Sequence, residues 1–188
     1  LGFDEITADN LIEVNQDLEP IDHMAMPNPA NRFHTWIYLQ HPEVNCIIHT
    51  HPTHVAALSM LRVPLMVAQM DTCSLFDDCA FLGEWPGVPV GNEEGIIISK
   101  ALGKKRAILL AHHGQLVVGK TIEEACNLAL MIERAARLQL LAMAAGQVQP
   151  LPAALAQEAH DWLSTDRRSK VNFTYYARKA LKSHPESI

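Results

Sequence analysis

A chain of 188 residues, 48% hydrophobic and 19% charged, has the length of one domain and the apolar content for a packed core, which excludes an intrinsically disordered protein. A net charge of −6, with no basic run longer than Lys104-Lys105-Arg106, speaks against a nucleic-acid or anionic-membrane surface. The longest apolar stretch, residues 128–145, carries Glu133, Arg134 and Arg137 in its middle and reads as a buried helix, not a membrane span.

Apolar and polar residues alternate over 11–15, which predicts a strand. Residues 22–29 read as a loop broken by Pro27 and Pro29, with Asn28 as an N-cap and Pro29 at the first helical position. Phe33, Trp36, Ile37 and Gln40 then follow helical spacing up to His41-Pro42. Residues 44–49 form a β-branched run read as a buried strand, a short helix starts at Pro52 and runs to Met60, and 64–67 is read as a further strand. Residues 71–87 look irregular, with Gly83, Pro86 and Gly87; 88–90 reads as a strand and 92–102 as a helix. A strand over 107–111 resumes at 115–118 after Gly114. Thr121 and Glu124 form a T-x-x-E capping box that opens a long helix ending at Gly146. Helices over 152–163 and 168–182 finish the chain, and the alternation of strands and helices points to an α/β fold.

Four cysteines (Cys46, Cys73, Cys79, Cys126) show no C-x-x-C spacing and sit in mostly apolar surroundings, as expected of reduced thiols in a cytoplasmic protein. No basic-then-apolar leader opens the text, which begins at Leu1 in a strand-like phrase. The expectation is a single domain over 1–188 that lacks its N-terminal portion.

The ten histidines carry the chemistry. His49 and His51 lie two residues apart at a predicted strand end, so both imidazoles face one side and can converge on one ion. A second predicted strand ends in His112-His113-Gly114, where alternation sends the two rings to opposite sides and leaves one of them to join the pair. Three neutral imidazoles with an open position describe a catalytic zinc-type site. His54, three residues past His51, is read as capping or packing, and His23, His34, His41, His160 and His184 as ordinary loop, core or surface residues.

These residues resemble the class II aldolase/adducin family. The match runs through Phe3-Asp4-Glu5-Ile6-Thr7-Ala8, Arg32-Phe33-His34, Ile37-Tyr38 and His41-Pro42-Glu43-Val44. It continues through His49-Thr50-His51, Pro89-Val90-Gly91, Leu110-Ala111-His112-His113-Gly114 and residues 118–125. The resemblance implies a three-layer α/β/α fold around a central, largely antiparallel sheet, and a homotetramer with sites between subunits. It implies a divalent metal, typically zinc, on His49, His51 and His113, and so selects His113 over His112. It also implies a small hydroxy-carbonyl substrate and lyase chemistry through a metal-stabilised enediolate.

The sequence departs from the sugar-phosphate aldolases of that family at one place. Their catalytic glutamate precedes the histidine of Arg-Phe-His by four residues; that position is Ala30 here. Alanine cannot move a proton, which keeps dehydratase, epimerase or decarboxylase chemistry open beside aldol cleavage. Asp71, after Val67-Ala68-Gln69-Met70, resembles the carboxylate of the family's dehydratase and epimerase branches, with a turn-initiating Asp as the competing reading and Asp78 as a distant second candidate. Tyr176, beside Tyr175, lies in a region from which family members lend a tyrosine to a neighbouring subunit's site; a packing pair is the alternative. Two other classes compete with the lyase: a non-catalytic, adducin-like interaction module, favoured by Ala30, and a hydrolase using zinc-bound water.

Overall fold

The computed structural model describes residues 2, 5–21, 25–88 and 91–185. Strands β1 (Cys46–Thr50), β2 (Cys79–Leu82), β3 (Ala107–Leu110) and β4 (Gln115–Gly119) form a sheet in the order β1-β4-β3-β2. The β1–β4 and β3–β4 pairs are antiparallel and β2–β3 is parallel, so the sheet is largely antiparallel. The helices are α1 (Arg32–Gln40), α2 (Thr53–Met60), α3 (Asn92–Leu102), α4 (Ile122–Ala145), α5 (Ala153–Leu163) and α6 (Asp166–Ser183).

The strand period of two sends alternate side chains to two helical layers. Ile108 and Leu110 of β3, with Leu116 and Val118 of β4, pack against Phe33 and Ile37 of α1 and Ile98 and Leu102 of α3. Ala107, Leu109 and Val117 point the other way, onto Val55 and Leu58 of α2 and Leu128 and Ile132 of α4. This is the expected three-layer α/β/α arrangement. The α1 and α3 helices meet closely because residue 95 is glycine: a Cβ there would lie 2.5 Å from Cδ1 of Trp36. Among the described residues no helix is long and apolar enough to cross a membrane.

Helix starts follow the sequence signals. The Asn28 side chain accepts from the Ala30 N–H at 3.0 Å and opens a 3₁₀ turn, Pro29–Asn31, that leads into α1. Thr121 accepts from the Glu124 N–H at 3.2 Å, while the Glu124 carboxylate reaches one residue past the cap, to the Lys120 N–H, and also holds Arg106.

Three expectations are corrected. Residues 11–15 form no strand; a single antiparallel bridge joins Val14 and Pro20, and Leu11 stays exposed, so the alternation has neither a ladder partner nor a buried face. Residues 64–67 are not a strand either, because the Gln139 side chain of α4 takes their backbone groups, accepting from the Met66 N–H at 2.8 Å and donating to the Pro64 carbonyl at 3.0 Å. The irregular stretch 71–87 contains most of a 3₁₀ turn (Met70–Leu75) and all of β2, a parallel edge strand of four residues, too short to show a period. The expected strand over 88–90, the Phe3-Asp4 and Pro89-Val90 phrases, and His23 fall wholly or partly outside the described residues. All four cysteines are free thiols, and burial pushes Cys79 up to about 12.

Candidate metal centre

The site is built where the end of β1 meets the β3–β4 hairpin. Along β1, Ile47 packs into the α1/α3 layer, and His49 follows on the same face with its ring edge-on to Phe33 at 4.9 Å. His51, past the strand end and exposed, keeps that direction: its Nε2 lies 3.0 Å from Nε2 of His49. Antiparallel pairing sets Thr50 opposite Gln115, which brings the hairpin preceding Gln115 alongside the histidine pair.

The hairpin settles which of the two adjacent histidines joins. The strand stops at Leu110, whose N–H donates to the Gly114 carbonyl at 2.8 Å, so the intervening histidines obey turn geometry and not strand alternation. His112 sits in the left-handed region at φ 57°, its N–H bonded to the Ser59 carbonyl at 3.2 Å, and its side chain is exposed. His113 turns inward, with ring centroids 4.8 Å from His49 and 4.6 Å from His51. One ligand nitrogen from each of His49, His51 and His113 lies within 4.8 Å of the others, and no carboxylate joins them among the described residues.

Gly114 is a steric requirement of this arrangement. A Cβ there would fall 2.5 Å from Cδ2 of His51 and 2.6 Å from the Thr50 carbonyl oxygen. Gln115 holds the floor: its carbonyl accepts from Nδ1 of His49 at 2.8 Å, and its buried amide donates to Oγ1 of Thr50 and to the Ala129 carbonyl. Because a carbonyl can only accept, Nδ1 carries the proton and Nε2 of His49 is left with a free lone pair.

The donor set suits a divalent ion of the zinc class. Nitrogens at about 2.05 Å from a tetrahedral zinc are about 3.3 Å apart, close to the His49–His51 separation. Burial first, then the neighbouring His113, pushes His49 down to about 3, and burial and His51 lower His113. Both rings are therefore in the neutral, ligating form at neutral pH. His34 is lowered to about 4 by burial alone, and its Nε2 is buried without a partner among the described residues.

These shifts predict the acid behaviour of the metal-free protein. His34 and His49 stay neutral in the folded chain where the unfolded chain, with pKa about 6.5, takes up protons. Neither ring affects stability above about pH 6.5, and both destabilise the fold as the pH falls from there towards their folded values, by up to a few kcal/mol each. Thermal melts of the metal-free protein from about pH 7.5 to 4.5 check this, and a flat Tm would contradict it.

Other expected site residues lie elsewhere. Asp71 is half-exposed on the 3₁₀ turn, its N–H bonded to the Gln69 side chain at 2.9 Å and its carboxylate paired with Arg134 at 2.8 Å. It is not part of the imidazole cluster. Tyr176 is half-buried on α6, edge-on to Tyr175 at 5.2 Å, and α6 packs on α4. Ala30 lines a cavity of about 1190 Å³ together with Asp9, His34, His49 and Thr50, so residue 30 itself offers no proton-moving group there. His54 lies outside the imidazole cluster, and its Nδ1 meets Glu133 at 2.6 Å. Gln115 carries no local mark of its part in the site, because only the folded chain brings its carbonyl to Nδ1 of His49.

Residues 1–140 match the family model for the Class II Aldolase and Adducin N-terminal domain. The chain is 32% identical over 157 residues to a 4-hydroxy-3-prenylphenylpyruvate oxygenase/4-hydroxy-3-prenylbenzoate synthase of Streptomyces roseochromogenus subsp. oscitans, across 82% of this chain and 57% of that protein. Gamma-adducin of Homo sapiens is 31% identical over 157 residues, 80% of this chain and 22% of the adducin. An L-fuculose 1-phosphate aldolase from Glaciozyma antarctica PI12 superposes with a TM-score of 0.83 at 31% identity, over 94% of this chain and 69% of that one. The chain spans less than two thirds of the length of the curated relatives it matches.

Proposed function

The chain belongs to the class II aldolase and adducin family, and from that premise we propose that it is a metal-dependent lyase of the aldolase type, cleaving or rearranging a small, sugar-like hydroxy-carbonyl compound. The observation that carries this reading is the convergence of His49, His51 and His113. A divalent ion there, zinc by its donor set, would supply Lewis-acid polarisation of the substrate's carbonyl and neighbouring hydroxyl oxygens. The chain's own part is to hold His49 and His113 neutral, with Nε2 of His49 presented by its bond to Gln115. The same reading makes the protein a cytoplasmic homotetramer in which neighbouring subunits complete each pocket.

The proton has to be moved by a group other than residue 30. We assign that role to Asp71, with Tyr176 as a further contributor from a neighbouring subunit. Asp71→Asn is expected to abolish turnover while leaving metal content unchanged, because Asp71 is not among the clustered ligands. Turnover on a panel of hydroxy-ketones and hydroxy-acids, before and after chelation and zinc return, tests the assignment. Activity that survives chelation removes the metal-dependent reading, and an unaltered kcat in Asp71→Asn removes Asp71.

One observation favours a second reading. Ala30 faces the cavity beside His49 where the sugar-phosphate aldolases carry their glutamate. That supports dehydratase, epimerase or decarboxylase chemistry on the same scaffold. A non-catalytic, adducin-like module is a further alternative, and it gives no reason for three imidazoles to be kept in register.

A further inference from the structure

His51 is the least supported of the three rings: it is exposed, lies outside the β1–β4 ladder, and is followed at once by Pro52 and the start of α2. A helix start leaves its first N–H groups without partners, and a polar side chain at the N-cap usually accepts from the second or third of them. Here the N-cap is Pro52, which has no side-chain acceptor. The acceptor comes instead from α4. The Glu133 carboxylate accepts from the His54 N–H at 3.1 Å, the Val55 N–H at 2.9 Å and Nδ1–H of His54 at 2.6 Å. It thus caps α2 from a distance of 78 residues in sequence, with its negative charge at the positive end of the helix dipole.

The chain between β1 and α2 is therefore pinned at both ends. Thr50 is fixed by its pairing with Gln115, and His54, three residues past His51, is fixed by Glu133. Both anchors return to α4, since Gln115 also donates to the Ala129 carbonyl, one turn before Glu133. We infer that Glu133 is a positioning residue of the metal centre, acting through the start of α2 to hold His51 where its Nε2 meets that of His49. The inference rests on the proposed metal-binding role of the three histidines.

Zinc affinity, measured by competition with a chromophoric chelator, tests it. Glu133→Ala is expected to bind zinc about tenfold more weakly or worse, within the range of outer-shell losses. Glu133→Gln keeps one oxygen acceptor and is expected to recover part of that loss; it carries the comparison if the alanine variant fails to fold. Asp78→Ala, which breaks the ion pair with Arg106 at the start of β3, is the control for loss of stability alone and is expected to stay within about twofold of the parent. The cobalt-substituted protein adds a local readout, with a shifted absorption band in Glu133→Ala and not in Asp78→Ala. Parent-like affinity in folded Glu133→Ala, or an equal loss in Asp78→Ala, overturns the positioning role and leaves the metal centre standing. A parent protein that takes up no zinc overturns both.

Discussion

A His113→Ala variant is expected to lose its metal, falling from about one ion per chain to near zero, while the fold survives. The ring sits in a hairpin turn and not in either packed layer, so its removal costs the core little, within about 1 kcal/mol. The two remaining rings, His49 and His51, lack the third nitrogen that encloses the ion. Lewis-acid polarisation is worth several kcal/mol in such sites. With each 1.36 kcal/mol worth tenfold, turnover should drop by roughly 10³-fold or more. Elemental mass spectrometry and a thermal melt on the same sample check both halves. The companion variant His112→Ala should keep its metal, because that side chain points to solvent from a left-handed backbone. If His112→Ala loses the ion and His113→Ala keeps it, the ligand assignment is reversed.

Gly114→Ala is expected to damage the site without touching a ligand. The added methyl would sit 2.5 Å from the His51 ring and 2.6 Å from the Thr50 carbonyl. The second clash is with backbone, and Thr50 cannot retreat without breaking its pairing with Gln115. Either the His51 ring swings out or the hairpin shifts, and overpacking of this kind costs about 1–3 kcal/mol. Both responses pull one nitrogen away from the other two, so metal affinity should fall together with Tm. Gly146→Ala is the matched control: nothing lies within 4 Å of a Cβ at that position, and its Tm and metal affinity should stay near the parent values. A Gly114→Ala protein that melts and binds metal like the parent would show that the hairpin has slack.

Much of this was legible in the sequence wherever one local signal decided the outcome. Asn28-Pro29, Thr121 with Glu124, and the Pro52 and Gly146 boundaries placed helices that the fold retains. The H-x-H pair was legible because β1 keeps its alternation through His49. Signals failed where a distant partner makes the decision. Residues 64–67 have strand-like composition, but Gln139, more than seventy residues away, takes their hydrogen bonds. β2 is a strand because β3 lies beside it, not because its four residues show a pattern. Alternation left His112 and His113 unresolved, since the strand they were assigned to ends at Leu110 and a left-handed turn takes over. Glu133 carries no local mark of its role, which exists only when α4 packs on α2.

The central claim is that His49, His51 and His113 together hold one metal ion. Metal content per chain, measured by elemental mass spectrometry on protein purified without added metal, tests it most directly, with His113→Ala prepared in parallel. About one zinc or similar divalent ion per parent chain, and almost none in the variant, is the predicted result. Near-zero metal in the parent, with no uptake when zinc, manganese or cobalt is added, would contradict it and leave an adducin-like scaffold with three histidines at its strand ends.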